Sequence, residues 1–410
     1  MASDSRITPL HDVHVALGGK MVNFAGWDMP LSYAVTGIAK EHIAVRKSAG
    51  IFDVSHMRRI YVTGTNAFDL LQYVLTNDAS KLRPGYSQYS FLVKHSTIRP
   101  LTLDDAYLNR IGENEYLLIV NAANGVQDLE YILEVAANRR YKVSIKDETD
   151  SQSLIAVQGP RSREILEELV GTAAMRSLSS QNMIASAQFN NVQGLWVAST
   201  GYTGEPTRFE VVVPVAVVGE FWQASIERGA TPAGLGARDS LRTEAGLLLY
   251  GHDINQATSP VEAGMGFAVR PDKDAETIGR DYLRAQKEAV TAGTLGWHQV
   301  LLEFPIRRQL EPQRFTSTIL FEGQVIGEVT SSVVAPMVRD GEYVKDRGLA
   351  IGYEKIKLSH ETIVSIDVRS SGTLQEATVM RRLLIKEPTT IGGLQYSNPE
   401  THYFKALQTA

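Results

Sequence analysis

Apolar residues recur along this chain with two different periods. The run from Tyr116 to Ala122 is continuously apolar and predicts a buried strand, while Val126, Leu129, Ile132, Leu133 and Ala136 recur at helical spacing and predict a helix directly after it. Leu154 to Val157 predicts another apolar strand, closed by Gly159-Pro160, and Ile165, Leu166 and Leu169 mark the next helix. Leu195 to Ser199 and Phe209 to Val215 read as a pair of strands flanking a Gly-Tyr-Thr-Gly turn, and Val217 to Arg228 reads as a helix that stops at Gly229. These elements do not alternate regularly, which predicts an α+β architecture instead of a doubly wound parallel sheet. Beyond Gly293 the pattern becomes strand-like at Val300 to Phe304, Thr318 to Phe321, Val325 to Thr330, Leu349 to Tyr353 and Thr362 to Val368, so a separate β-rich domain is expected there. The charged, Ala-rich stretch from Pro271 to Thr294 predicts a helical connection between the two parts.

With 410 residues the chain exceeds one ordinary core, and two or three domains are expected. It is 43% hydrophobic and 21% charged, with no apolar run long enough to span a bilayer, which predicts a soluble globular protein. A net charge of −5 argues against an electrostatic grip on nucleic acid or an anionic membrane, and the pairs Arg58-Arg59, Arg307-Arg308 and Arg381-Arg382 read as solvated surface. The absence of cysteine removes disulfides, thiolate nucleophiles and Cys-based metal sites, so chemistry must come from carboxylates, Arg, Tyr or a cofactor. The first ten residues lack a signal core and an Arg-rich amphipathic pattern, predicting a cytoplasmic protein; a mitochondrial-matrix protein with its transit peptide removed would read the same.

Several polar residues interrupt this pattern in ways that suggest a site. Asp104-Asp105 lies between a Pro-containing loop, Ser96 to Pro100, and the run toward Tyr116. Neighbours on a strand face opposite ways, so only one of the two is expected to point into a site, and a loop-exit acid pair is the plainer alternative. Asn121 either reaches a ligand or satisfies backbone at a strand end. Glu210 stands among Phe209 and Val211 to Val213 and reads as a solvated strand residue or a binding group. Arg238 follows Gly234-Leu235-Gly236-Ala237 near a helix N-terminus, where anions bind, or is a salt-bridged structural arginine. His11-x-x-His14 lacks nearby acid or Cys ligands and carries no metal site; no His-Glu-x-x-His, phosphate-loop, dinucleotide or Gly-x-Ser-x-Gly motif is present.

Gly201-Tyr202-Thr203-Gly204-Glu205-Pro206-Thr207-Arg208-Phe209-Glu210 and Gly234 to Gly246, with Phe24 to Pro30 and Phe52 to Met57, together resemble the T-protein family of the glycine cleavage system, folate-dependent aminomethyltransferases. The resemblance runs from Thr8 to about Arg369. It implies a three-domain cloverleaf with tetrahydrofolate in its central opening: residues 1–57 plus 152–260, residues 58–151 plus 261–294, and a β-barrel or jelly-roll-like domain over 295–410. It implies transfer of the aminomethyl carbon from the lipoyl arm of a carrier H-protein to tetrahydrofolate, giving methylenetetrahydrofolate and ammonia. Asp105 matches the second Asp of the family's Gly-Gly-x-x-Asp-Asp motif and would act on the folate amine. A strand Glu can accept two parallel hydrogen bonds from the pterin edge, which gives Glu210 the pterin. Met57, Tyr89, Asn121 and Tyr202 would line the folate, and Arg238 and Arg369 would bind the remainder of the cofactor.

The departures from the family lie near the expected site. Pro100-Leu101 stands in place of Gly-Gly after a longer loop, Asn109 in place of a Tyr, and Phe267 in place of a Trp. Ser331-Ser332 and Ala335-Pro336 replace a Ser-Gly and Ser-Pro block, followed by an insertion around Arg339 to Arg347. Losing Gly-Gly removes backbone freedom next to the ligand. The cofactor expectation therefore stands more firmly than the lipoylated partner, and a small-molecule one-carbon donor or acceptor, as in a demethylase, is a rival. A non-catalytic folate-binding accessory protein is a second rival, whose iron–sulfur assembly members carry a Cys motif that this chain lacks.

Overall fold

Strand Arg208–Pro214 shows how the molecule is layered. Its alternation sends Phe209, Val211 and Val213 to one face, where they are buried with Ile165, Leu166, Phe221 and Trp222 of helices Ser162–Val170 and Val215–Glu227. Each such burial contributes about 1.5–3 kcal/mol. Val212 and Glu210 occupy the opposite face. The computed structural model describes residues 5–305, 317–339, 342–355, 357–368, 373–380, 389–391 and 394–396.

The first sheet runs in the order Ile184–Phe189, Val192–Ala198, Arg208–Pro214, Gln152–Gln158, Gly50–Asp53, Thr231–Pro232. It is antiparallel except that Thr231–Pro232 pairs parallel to Gly50–Asp53. A second, antiparallel sheet runs Tyr86–Lys94, Leu101–Gly112, Glu115–Val120, Arg58–Thr63, Ser144–Asp147. One of its faces buries Ile60, Val62, Leu118 and Val120 against helices Ala67–Val74 and Gly125–Asn138. The other presents Leu117, Ile119, Tyr61 and Tyr107 to Val54, Leu154, Ala156 and Val212 of the first sheet and to Ala237 and Leu241 of helix Leu235–Glu244. The two sheets thus share an apolar seam, with helices on their outer faces, and those predicted site residues that are described lie on elements that border this seam.

Strands His298–Phe304, Glu342–Glu354, Gln324–Arg339, Thr318–Phe321, Ile363–Val368 and Thr373–Met380 close into a barrel. Val300, Leu302, Ile319, Ala350, Ile366 and Val379 fill it, while Leu301 and Ile351, one residue out of phase, face outward and join the core beneath the second sheet. The expected β-rich region is therefore present and docked. The molecule is a mixed α/β structure, and among the described residues no helix is long and apolar enough to cross a membrane.

One predicted element is corrected. The stretch from Pro271 to Thr294 is not helical throughout; the helix begins at Arg280 and ends at Ala292. Gly279, with φ +70°, precedes it, and a Cβ at that position would stand 2.4 Å from Pro100 Cγ. The local positive φ and the close approach of Pro100 override the charged, helix-favouring composition upstream.

Candidate active site

Strand Leu101–Gly112 carries both Asp104 and Asp105, and its register against Tyr86–Lys94 slips so that Leu103 has no partner. A slip of this kind adds local twist. The neighbouring strand Glu115–Val120 ends one residue before Asn121, which turns across the strand end. The Asn121 side-chain amide donates to Asp104 Oδ1 and to Asp105 Oδ1, at 2.8 Å in each case. One amide thus reaches both aspartates, of which Asp104 is fully buried and Asp105 is not. With both amide hydrogens spent, the Asn121 side-chain carbonyl is left as an acceptor.

The two carboxylates have different surroundings. Asp104 is fully buried and also accepts from the Asn121 backbone N–H at 2.8 Å and from Asn124 Nδ2 at 2.9 Å. Asp105 accepts from the Tyr89 hydroxyl at 2.9 Å. Burial first, and then the charge of Asp104, push the Asp105 carboxyl up to about 7, although Tyr89 and Asn121 pull the other way. A carboxyl titrating there can accept and return a proton near neutrality. Tyr89 is held by Phe267, whose ring stacks on it at 5.9 Å and 23°, so the Phe that replaces the family's Trp keeps an aromatic wall.

On the first sheet, Glu210 Oε2 accepts from Thr200 Oγ1 at 2.6 Å. Arg238 projects from helix Leu235–Glu244, whose entry is set by Gly234: a Cβ there would lie 2.4 Å from the Leu31 backbone. Its guanidinium lies 4.8 Å from the Tyr202 ring centroid. Arg238 Nη1 is buried with no hydrogen-bond partner. Burial lowers the Arg238 pKa while Glu210 and Tyr202 act to raise it. Tyr202 sits in the turn between Val192–Ala198 and Arg208–Pro214, where Gly201 is required because a Cβ would stand 2.3 Å from the Gln158 amide. The Tyr202 hydroxyl donates to the Leu248 carbonyl and feels the charges of Arg242, Asp105, Asp253 and Arg238. Tyr202 therefore carries Arg238 over its ring and lies within electrostatic range of Asp105.

Of the remaining predicted residues, Met57 is half-buried on the seam. Arg369 lies outside the described residues. His11 and His14 diverge to different carboxylates, Asp28 at 2.9 Å and Asp53 at 3.0 Å, and no metal-binding cluster occurs among the described residues. Pro100, which stands for a glycine in the resemblance, turns its ring against Gly279. A cavity of about 290 Å³ is lined by Arg99, His252, Thr258, Glu262, Trp297 and Tyr353 among others, and neither Asp105 nor Glu210 lines it.

Sequence reasoning weighed Asp104 only as half of an acid pair and missed Asn124 and Asp128. Asp128, in helix Gly125–Asn138, is fully buried beside Asp104 and both its oxygens lack a donor. The signal was an acidic residue on a predicted amphipathic helix four residues after Val-Asn-Ala-Ala-Asn, which by itself reads as solvated. Helix Leu235–Glu244 also ends in a buried ion network: Glu244 accepts from Arg46 Nη2 at 2.6 Å and from Arg347 Nη2 at 2.7 Å, and Arg46 Nη1 donates to Glu205 at 2.7 Å.

Residues 10–273 match the family model described as the GCVT N-terminal domain. An aminomethyltransferase of Symbiobacterium thermophilum is 35% identical over 390 residues, covering 93% of this chain and 97% of the relative. One from Thermus thermophilus is 38% identical over 346 residues, covering 84% and 90%. The crystal structure of glycine cleavage system aminomethyltransferase T from Bartonella henselae superposes with a TM-score of 0.77 at 29% identity, over 96% of this chain and 99% of that one.

Proposed function

The chain belongs to the family defined by the GCVT N-terminal domain, and from that premise we propose that it is a tetrahydrofolate-dependent aminomethyltransferase of the glycine cleavage type. The observation that carries this reading is the Arg238 guanidinium, 4.8 Å from the Tyr202 ring centroid and with its buried Nη1 lacking a hydrogen-bond partner, together with an Asp105 carboxyl whose pKa burial raises. An orphaned buried donor fits a polar, planar ligand that both donates and accepts. Tetrahydrofolate, when bound, supplies the amine that takes up the one-carbon unit.

The chain's own residues then divide the work. Glu210 accepts N–H groups of the pterin edge, with Thr200 fixing its other oxygen. Asn121 offers its side-chain carbonyl, Arg238 its free Nη1, and Met57, Tyr89 and Tyr202 pack the rings. Asp105 takes the amine proton at its carboxylate and stabilises positive charge at the transferred carbon. Arg369 is assigned to the far end of the cofactor. The partner we propose is a lipoylated carrier protein; the relatives' names give a small-molecule substrate no support. The three-part division into residues 1–57 with 152–260, 58–151 with 261–294, and 295–410, arranged as a cloverleaf about the folate, belongs to the same proposal. It is supported by the pairing of Gly50–Asp53 with Gln152–Gln158 and Thr231–Pro232.

Calorimetric titration with tetrahydrofolate, followed by assay with an aminomethylated lipoyl carrier for methylenetetrahydrofolate and ammonia, tests the reading. Binding with turnover supports it, and absence of binding sinks it. Glu210→Ala is expected to raise the tetrahydrofolate dissociation constant about 10- to 100-fold, the loss of hydrogen bonds to a charged group. An unchanged constant would remove Glu210 from the pterin. The acidic limb of kcat/KM is expected near pH 7, falling about tenfold per unit below it, because the active form of Asp105 is the carboxylate and its pKa is raised.

A further inference from the structure

Asp104 has about four acceptor positions. Three are filled by the Asn121 N–H, Asn121 Nδ2 and Asn124 Nδ2. Asn124 spends its amide here although it is the residue that opens helix Gly125–Asn138, and it leaves that helix without a side-chain cap. The remaining neighbour is Asp128, within hydrogen-bond reach of the Asp104 carboxyl. Two carboxylates cannot share a hydrogen bond unless one is protonated. Asp128 is fully buried and no donor in the described structure reaches either oxygen, so the proton belongs on Asp128.

We infer that Asp128 is a positioning residue: it carries a proton that it donates to Asp104, completing the hydrogen-bond shell that keeps Asp104 a fixed carboxylate and leaves the exchangeable proton to Asp105. This rests on the proposed role of Asp105. The other groups facing the cluster agree with it. Arg58, on the adjoining strand, lies against the helix start but is paired with Asp147. Tyr250 donates its hydroxyl to the Thr102 carbonyl at 2.6 Å, and Tyr89 donates to Asp105. Burial and then the charge of Asp104 raise the Asp128 pKa far above the carboxylate range, with Arg58 the weakest influence. Two neighbouring aspartates are thereby pushed apart in role: Asp104 has its acceptor positions filled, which offsets the upward push of its burial, while Asp105 has only the Tyr89 hydroxyl and one Asn121 hydrogen to satisfy it.

The test uses the intact protein. Infrared spectroscopy at pH 8 is expected to show the carbonyl stretch of a protonated carboxyl, lost in Asp128→Asn. Absence of that band overturns the inference whatever Asp105 does. Asp128→Asn, which still donates to Asp104, is expected to keep the acidic limb of kcat/KM near pH 7. Asp128→Leu is expected to lose about 10- to 100-fold in kcat with little change in the tetrahydrofolate dissociation constant. Its acidic limb should move to lower pH, because Asp104, deprived of its donor, retains a proton and Asp105 then ionises beside a neutral neighbour. A Leu variant with an unmoved limb, or an Asn variant as impaired as the Leu variant, overturns the positioning role. Should Asp105→Asn retain turnover, the catalytic reading fails, and the infrared band still decides where the proton lies.

Discussion

Asp105→Asn is expected to lower kcat about 10²- to 10⁴-fold, the usual contribution of a positioned acid–base group, while the dissociation constant of tetrahydrofolate changes little. The amide keeps the shape of the carboxyl and can still accept from Asn121, so the loss isolates proton transfer and charge. The same substitution is expected to raise the melting temperature at pH 8. The native pKa of Asp105 lies above its ordinary value, so the folded protein binds its proton more tightly than the unfolded chain does. Stability from this group therefore falls as pH rises from about 4 to 7, and the ionised native form is the strained one. Removing the charge relieves that strain, a trade of activity for stability. Single-turnover kinetics and a thermal melt check the two halves. Undiminished turnover would remove Asp105 from the chemistry.

Glu244→Ala is expected to destabilise the fold by about 3–5 kcal/mol in urea denaturation, because it removes the buried carboxylate that Arg46 and Arg347 share and leaves Arg46 only Glu205 and Arg347 only the more distant Glu303. Arg46 belongs to helix Gly37–Lys47, Glu244 to helix Leu235–Glu244 and Arg347 to the barrel strand Glu342–Glu354, so one carboxylate ties three elements together. Burial alone would push the Glu244 pKa up, but Arg46, His42 and Arg347 outweigh it and hold the carboxyl far below its ordinary 4.5. A depressed acid pKa stabilises the fold above the unfolded value, and this stabilisation is lost as pH falls from about 4.5 through the folded pKa. Acid unfolding of the wild type should therefore extend well below pH 4, and a Glu244→Ala protein should lack that component. A variant as stable as wild type would show that the network contributes nothing net.

The seam-facing elements were legible because their alternation is regular: Phe209, Val211 and Val213 announce one buried face, and Glu210 stands out against it. At Asp104-Asp105 the same reasoning anticipated opposite directions but not the amide that the two carboxylates share. A one-residue slip at Leu103 and the early end of the neighbouring strand bring both carboxylates to one amide, and neither is written in local propensity. Asp128 was invisible for a related reason. An acid near the start of a helix ordinarily meets solvent and the favourable end of the helix dipole, and only the packing of that helix on the second sheet buries it. The concern over Pro100-Leu101 was local too: Pro100 packs on Gly279, a partner nearly 180 residues away that no spacing rule connects to it. The insertion read as a departure around Arg339 to Arg347 supplies the arginine that meets Glu244.

Strand Gly50–Asp53 has both its neighbours far downstream, at Gln152–Gln158 and at Thr231–Pro232. During synthesis it must therefore wait while about 105 further residues are made before its first neighbour is complete and about 180 before its second, roughly 5–20 s and 10–40 s at ribosomal rates. The second sheet lies wholly within that wait, since its strands run from Arg58 to Asp147. The polypeptide is thus obliged to complete its middle before its beginning, and any pause in translation between the two lengthens the life of an unpaired apolar strand.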